Sequence, residues 1–290
     1  MKVSIIIVSW NVRDLLKKCL ESIFKYTKEI DFEVFVVDNL SGDGTIDMIQ
    51  KKFSQVKLIA NNYNAGFAKA NNQPLVNGVG EEVLFMNPDM EFNENTIRIM
   101  HDFMTEHPDT DIATCMLEYA DAERQNNIKR LPTFWSQFLI LLKLHHFLSF
   151  LPTLRRYLAK DFDYTKEQQV DNIMGAFVYA RTKKFQELGA WNEKYWLWWE
   201  DVDLCKTAKN KGVKIMYTPK TKVIHHEGKS FEQIATPAKQ WRFIKGMLRY
   251  FSIHHTIYEV LLLALIVPIS MGLAYLSTVL NIKPRPQSKV

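Results

Sequence analysis

The chain has 290 residues, 47% of them hydrophobic, which is enough for one large domain of alternating strands and helices, or a domain with an appendage, and too apolar for a disordered chain. Lys and Arg number 37 against 32 Asp and Glu; the net charge of +5 suits phosphate ligands or anionic lipid, and equally an ordinary solvated surface. Cys19, Cys115 and Cys205 are far apart and lack any C-x-x-C spacing. Neither a disulfide framework nor a cysteine zinc site is suggested, which makes a reducing, cytoplasmic catalytic domain the default.

The apolar run 3–8 stops at Ser9-Trp10-Asn11, too short for a secretory signal core, and reads as a first strand. Over 14–26, Leu16, Leu20, Ile23 and Phe24 share one face while Lys17, Lys18, Glu21 and Lys25 take the other, the period of an amphipathic helix. Further strands are predicted at 33–37, 56–59, 83–86 and 112–115. A helix over 45–53 follows the Ser41-Gly42-Asp43-Gly44 turn, with Asp43 as its cap. This alternation predicts an α/β fold with a mostly parallel central sheet covered by helices. Segment 131–158 departs from it, being rich in Phe, Leu and Trp with Lys143, His145, His146, Arg155 and Arg156 among them. It reads either as an amphipathic membrane-surface segment or as helices packed on the core or a partner.

In an open parallel sheet, ligands bind beyond the carboxyl ends of the strands, and those ends are polar here: Ser9 and Asn11, Asp38-Asn39, Asn61-Asn62, and Asn87-Pro88-Asp89. Asn and Asp are common turn residues singly, but here four such ends coincide. Neither the G-x-G-x-x-G fingerprint nor the phosphate-loop pattern occurs, which argues against a nicotinamide enzyme and leaves a bound diphosphate in need of another counter-charge. A divalent cation on carboxylates supplies one, and Asp89, behind the rigid Pro88, is the candidate ligand.

In the run 195–204, Trp196, Trp198 and Trp199 stand beside Glu200, Asp201 and Asp203. Aromatic faces suit a sugar or a base, and a carboxylate in a partly dry cleft gains a pKa useful for accepting a proton. The same acids would also favour a helix start. Beyond a strand expected at 214–217, with Pro219 in the turn, His225 and His226 can offer an imidazole to a metal or stand as ordinary surface residues. Residues 260–282 carry no charge and are long enough to cross a bilayer. A span, an interfacial helix and a hydrophobic dimer contact all remain open for them, because basic residues flank both ends.

Together these pieces resemble the family 2 glycosyltransferases of GT-A fold, in particular the bacterial rhamnosyltransferase-like branch, over roughly residues 2–231. The matching residues are 5–11, Val37-Asp38-Asn39 with Ser41, Asp43, Gly44 and Thr45, Asn64-Ala65-Gly66-Phe67-Ala68 with Asn71-Asn72, 84–89, Gly175-Ala176-Phe177, 200–204, and His225 with Gly228 and Ser230. The resemblance implies an inverting, nucleoside diphosphate sugar-dependent transferase with Mg²⁺ or Mn²⁺. Asp38 would meet the donor base beside Ser9 and Asn11. Asn64, Gly66 and Asn71 would form the loop over the nucleoside and diphosphate, and Asn87 would add a donor contact. Asp89 would hold the metal with His225, and Asp201 would be the catalytic base. Gly175, Ala176, Trp198, Trp199 and Glu200 would shape the acceptor side. Asn87 replaces the first carboxylate of the family's DxD metal motif, so Asp89 alone carries a carboxylate there.

The expected organisation is a catalytic domain over 1–235, with a helical insertion at 131–160, and a membrane-associating segment over 236–290. The expected site of action is the cytoplasmic face of the membrane, on a glycan or lipid-linked acceptor, with a homodimer possible and no nucleic-acid partner. A membrane-tethered sugar-nucleotide binding or scaffold protein is the competing reading.

Overall fold

The computed structural model of the chain describes residues 2–76, 78–226 and 236–280. Gly228, Ser230, the 235/236 domain boundary and the last residues of the 260–282 stretch lie outside them.

A nine-stranded sheet organises the domain, in the order β3-β2-β1-β4-β10-β6-β11-β5, with β8 paired to β11. Its first half is the parallel unit expected from the sequence: β1 (Lys2–Ser9), β2 (Asp31–Asp38), β3 (Lys57–Ala60) and β4 (Glu82–Met86). Beyond β4 the sheet is mixed. β10 (Phe177–Arg181) runs antiparallel between β4 and β6 (Ile112–Glu118), and β11 (Ile215–His225) pairs parallel to β6 and antiparallel to β5 (Met90–Glu91) and β8 (Gln168–Gln169). A small ribbon joins β7 (Ile128–Lys129) to β9 (Asn172–Ile173).

Alternation along β1 shows why both faces are covered: Val3, Ile5 and Ile7 enter one core, and Ile6 the other. The first core takes its helical residues from α1 (Arg13–Tyr26), α2 (Thr45–Lys52) and α4 (Thr96–Glu106). The second takes them from α3 (Phe67–Val76), α7 (Thr182–Glu187) and α8 (Glu200–Asn210).

Two local expectations change. Gly44, in a left-handed conformation, precedes α2, and Asp43 acts from one residue earlier by accepting from the Thr45 N–H at 3.2 Å and from the Arg13 N–H at 2.8 Å. His225 does not follow a short strand but ends a long one. Pro219 has no N–H to donate, and β11 absorbs it as a register shift between Thr218 and Lys222 before pairing resumes.

Segment 131–158 becomes α5 (Phe134–Leu141), one 3₁₀ turn (Leu144–His146) and α6 (Pro152–Tyr157). With α9 (Thr236–His254) and α10 (Ile257–Val279) it builds a third core, in which Leu141, Ile244, Met247, Phe251 and Leu263 are buried with Tyr195 and Trp199. This side of the molecule keeps large apolar side chains exposed, among them Trp135, Phe147 and Phe150 on the insertion and Tyr258, Leu261, Leu265 and Ile269 on α10. α10 is long and apolar enough to cross a membrane by length and composition, with mean hydropathy 2.3 over its most apolar stretch, only 17% of which is buried.

Candidate active site

The polar ends of β1 and β2 meet because the two strands are in parallel register, Ser9 opposite Asp38. Both side chains are fully buried; Ser9 Oγ and Asp38 Oδ1 have no hydrogen-bond partner among the described residues, while Asp38 Oδ2 accepts from the Ser41 N–H at 2.9 Å. Buried orphan groups of this kind are costly, about 1–3 kcal/mol each, and mark a place where a ligand can complete the bonding. A base reaching Oδ1 has to displace part of the cover over it. Asn11, at φ 52°, ties the same edge to the next turn: its N–H donates to Ser41 Oγ at 2.9 Å, and its side-chain oxygen accepts from the Gly42 N–H at 2.8 Å.

Asn39 organises the neighbouring loop. Its amide nitrogen donates to the Gly66 carbonyl at 3.1 Å, and its amide oxygen accepts from Asn61 Nδ2 at 2.9 Å and from the Ala65 N–H at 3.3 Å. Asn64 closes the turn by accepting from the Gly66 N–H at 3.0 Å. Trp196 clamps it, its carbonyl accepting from the Phe67 N–H at 2.7 Å and its indole N–H donating to the Asn64 carbonyl at 3.4 Å. Asn71, buried, donates to Phe67 O at 3.0 Å within α3 and so braces the helix start behind the loop.

The end of β4 carries the next group. Asn87 is half-buried, and its N–H donates to the Ala176 carbonyl at 3.0 Å, which joins the β4 end to the start of β10. Asp89 and His225 are both buried, with Asp89 Oδ1 3.4 Å from His225 Nε2. Gln125 fixes the imidazole. Its Nε2 donates to the His225 carbonyl at 2.8 Å, which turns its Oε1 toward His225 Nδ1, also at 2.8 Å. Nδ1 therefore carries the proton, and in the neutral ring Nε2 directs a lone pair at Asp89 Oδ1, which has no hydrogen-bond donor among the described residues. Two facing acceptors repel unless a proton on Nε2 or a metal cation lies between them. Their spacing is close to the roughly 3 Å between neighbouring ligands of a small divalent ion with bonds of about 2.1 Å. The pair thus fits a metal ion. Among the described residues no group of three or more His, Cys, Asp or Glu is placed to hold one.

The start of α8 places three carboxylates in three environments. Trp198 and Trp199 take successive left-handed conformations, φ 64° and 75°, which swing the chain so that α8 begins at Glu200. Asp201 accepts from the Gly175 N–H at 2.9 Å through Oδ2 and from the Val202 N–H at 2.8 Å through Oδ1. Burial pushes its pKa above the ordinary aspartate value, and these N–H bonds pull the other way. The Glu200 carboxyl is held well above its usual range, first by burial and then by the charge of Asp201, and its Oε2 has no partner among the described residues. Glu200 therefore keeps its proton to a higher pH than an ordinary glutamate. Asp203 is structural, accepting from Tyr195 Oη at 3.0 Å, Asn192 Nδ2 at 3.1 Å and His254 Nε2 at 2.8 Å, and so pins α9 to α8.

Trp199 is also turned inward, packed at a tilt against Phe243 and Tyr250 of α9, with Gly246 opposite; a Cβ there would sit 2.6 Å from its ring. This packing holds the turn before α8 in place, while Trp198 is half-buried.

Backbone bonds bring two of the groups together: Asn87 to Ala176, and the adjoining Gly175 to Asp201. Gln125 escaped the sequence reading because it sits 100 residues from His225 in a loop without a motif. Trp196 was visible in its aromatic run, but nothing marked it as the clamp on Gly66.

A sequence profile described as glycosyl transferase family 2 matches residues 4–189. An N-acetylglucosaminyl-diphospho-decaprenol L-rhamnosyltransferase of Mycobacterium tuberculosis is 23% identical over 241 residues, 78% of this chain and 76% of that protein. Rhamnosyltransferase WbbL of Escherichia coli K12 is 21% identical over 258 residues, 86% of this chain and 92% of that one. The structure of the mannosyltransferase PcManGT of Pyrobaculum calidifontis, in complex with GDP-Man and Mn²⁺, superposes with a TM-score of 0.58 at 16% identity, covering 98% of this chain and 76% of that one, and shows the expected GT-A fold. With the profile spanning the sheet from β1 to β10, this chain belongs to glycosyl transferase family 2.

Proposed function

We propose that the chain transfers a sugar, rhamnose before others, from a nucleoside diphosphate to a hydroxyl of a lipid-linked or glycan acceptor, with inversion, at the cytoplasmic face of the membrane during polysaccharide synthesis. The observation that carries this reading is the Asp201 carboxylate, raised in pKa by burial and anchored by Gly175 two residues along from the strand end that holds Asn87. The names of the two rhamnosyltransferase relatives support the sugar and the lipid-linked acceptor.

In the reaction the acceptor oxygen forms a bond to the anomeric carbon as its proton passes to Asp201. The bond from that carbon to the diphosphate oxygen breaks, and its electron pair leaves with the diphosphate. One base and one displacement give inversion. Ser9 and Asp38 bind the base, and the loop at Asn64 and Gly66 covers the nucleoside diphosphate. A divalent cation, Mg²⁺ or Mn²⁺, would be held by Asp89 and His225 and would neutralise charge on the diphosphate.

Membrane association is supported by the shape of the C-terminal hairpin. Gln240 of α9 donates to Ser270 of α10 at 2.9 Å, so the first half of α10 runs alongside α9, which carries Arg242, Lys245 and Arg249. A pair with this charge on one member favours lying along the interface, with the exposed Tyr258, Leu261, Leu265 and Ile269 toward lipid, over a simple crossing.

Incubation with a panel of nucleoside diphosphate sugars, Mg²⁺ and bacterial membrane extract tests the reading. It predicts acceptor-dependent release of nucleoside diphosphate, largest from a deoxythymidine diphosphate sugar. Binding without release from any donor would instead favour a sugar-nucleotide binding protein.

A further inference from the structure

Outside the transfer site, a groove of about 730 Å³ opens between the loop around Trp196 and the outer face of α9. Lys194, Arg242, Lys245 and Arg249 line it, together with Trp196 and Trp241. Elsewhere on the surface, lysines such as Lys2, Lys57, Lys209, Lys214 and Lys220 each meet a carboxylate. None of the four cations in the groove is paired with a carboxylate among the described residues. Arg242 lies over the Trp196 ring at 4.4 Å and keeps Nη1 buried without a hydrogen-bond partner, so a planar fork is held ready with a spare donor. Lys245 stands over Trp241 at 5.5 Å. Four cations lining one groove, without a carboxylate partner among the described residues, favour an anion there.

The position narrows the anion. One wall is Trp196, which also clamps the loop at Asn64 and Gly66; the other is α9, whose far side packs on the apolar α10. A ligand here sits between the donor edge and the membrane-facing hairpin. That is where the link between an acceptor sugar and its lipid must pass. We propose that this groove binds the diphosphate headgroup of a lipid-linked acceptor, an inference that rests on the transferase reading above and adds the site where the lipid link is recognised.

The test uses the full chain and phosphatidylcholine vesicles carrying either a polyprenyl diphosphate or phosphatidylglycerol at equal surface charge, with inorganic diphosphate as soluble competitor. The variants are Arg242→Gln and the exposed pair Lys245→Gln with Arg249→Gln, and nucleoside diphosphate binding is measured alongside. The expected result is about tenfold tighter binding to the diphosphate vesicles, as charge-assisted contacts to a doubly charged headgroup imply. Both variants should lose that preference, inorganic diphosphate should compete, and nucleotide affinity should stay unchanged in the exposed pair.

Equal binding to both vesicles would reduce the groove to a general anionic surface and overturn the proposal. A preference surviving both variants would place the site elsewhere. Loss of nucleotide affinity in the exposed pair would assign the groove to the donor. Failure of the transferase reading shows separately, as absent donor turnover by the natural chain, and a vesicle preference found there would still support a diphosphate groove.

Discussion

The Gly175 N–H donates to Asp201 Oδ2 at 2.9 Å, and a Cβ at position 175 would stand only 3.2 Å from Asp201 Cβ and 3.4 Å from Oδ2. The glycine thus supplies the bond that orients the proposed base and also the room beside it. Gly175→Ala is expected to shift the carboxylate by a few tenths of an ångström and to lower kcat about tenfold, since small misplacements at the reacting group are costly. Donor KM should not change, and steady-state kinetics with the donor varied separates the two parameters.

Gln125 sets which nitrogen of His225 faces Asp89. Replacing it with Ala frees the ring to turn, and outer partners of this kind are worth about 10–100-fold in metal affinity. Titration of activity with Mn²⁺ should show a raised half-saturation for Gln125→Ala and near-normal rates at saturating metal. An unchanged half-saturation would remove Gln125 from that role.

Gly66 has φ 81°, and a Cβ there would fall 2.4 Å from the Trp196 carbonyl oxygen. The left-handed backbone alone costs Ala about 1–2 kcal/mol, and the contact with a backbone oxygen cannot be relieved by a side-chain rotation. Gly66→Ala is expected to detach the loop from Trp196 and weaken nucleoside diphosphate binding by about tenfold or more, read by calorimetry.

Glu200 provides a pH test with a definite sign. Its folded pKa lies well above the ordinary 4.5, so between the two values the folded chain holds a proton that the unfolded chain has lost. Its stabilising contribution is therefore complete below 4.5 and is lost as pH rises through the folded pKa. Glu200→Gln should flatten the fall in unfolding free energy between pH 4.5 and the folded pKa while leaving transfer nearly intact, as denaturant titrations across pH would show.

Asp201 is a neighbouring case with a different consequence. As the proposed base, with its pKa raised by burial, it is expected to place the acid limb of kcat/KM above that of an ordinary aspartate, which a pH–rate profile reads.

The parallel half of the sheet was legible because each of its strands is a short apolar run between helical stretches, and the strand-end residues Ser9, Asp38, Asn87 and Asp89 lie where that topology must put them. The antiparallel half was less so. β10 follows Gly175-Ala176 without a hairpin partner beside it in sequence, and Pro219 masked the continuity of β11 up to His225. The pairing of Asp89 with His225 was readable as chemistry, but Gln125 was not, because only the adjacency of β6 and β11 brings its loop to the imidazole. Trp199 looked like a cleft residue from its company and Asp203 like a supporting acid at a helix start; their burial against α9 depends on a contact between distant parts of the chain that no local pattern encodes.

The most direct measurement is single-turnover release of nucleoside diphosphate by the natural chain and by Asp201→Asn, each with saturating donor, Mg²⁺ and membrane acceptor, with donor binding measured in parallel. The account predicts undiminished donor binding and a rate lower by about 10²–10⁴ in the variant, the contribution of a positioned base. Equal rates in the two proteins would contradict it and remove Asp201 from the chemistry.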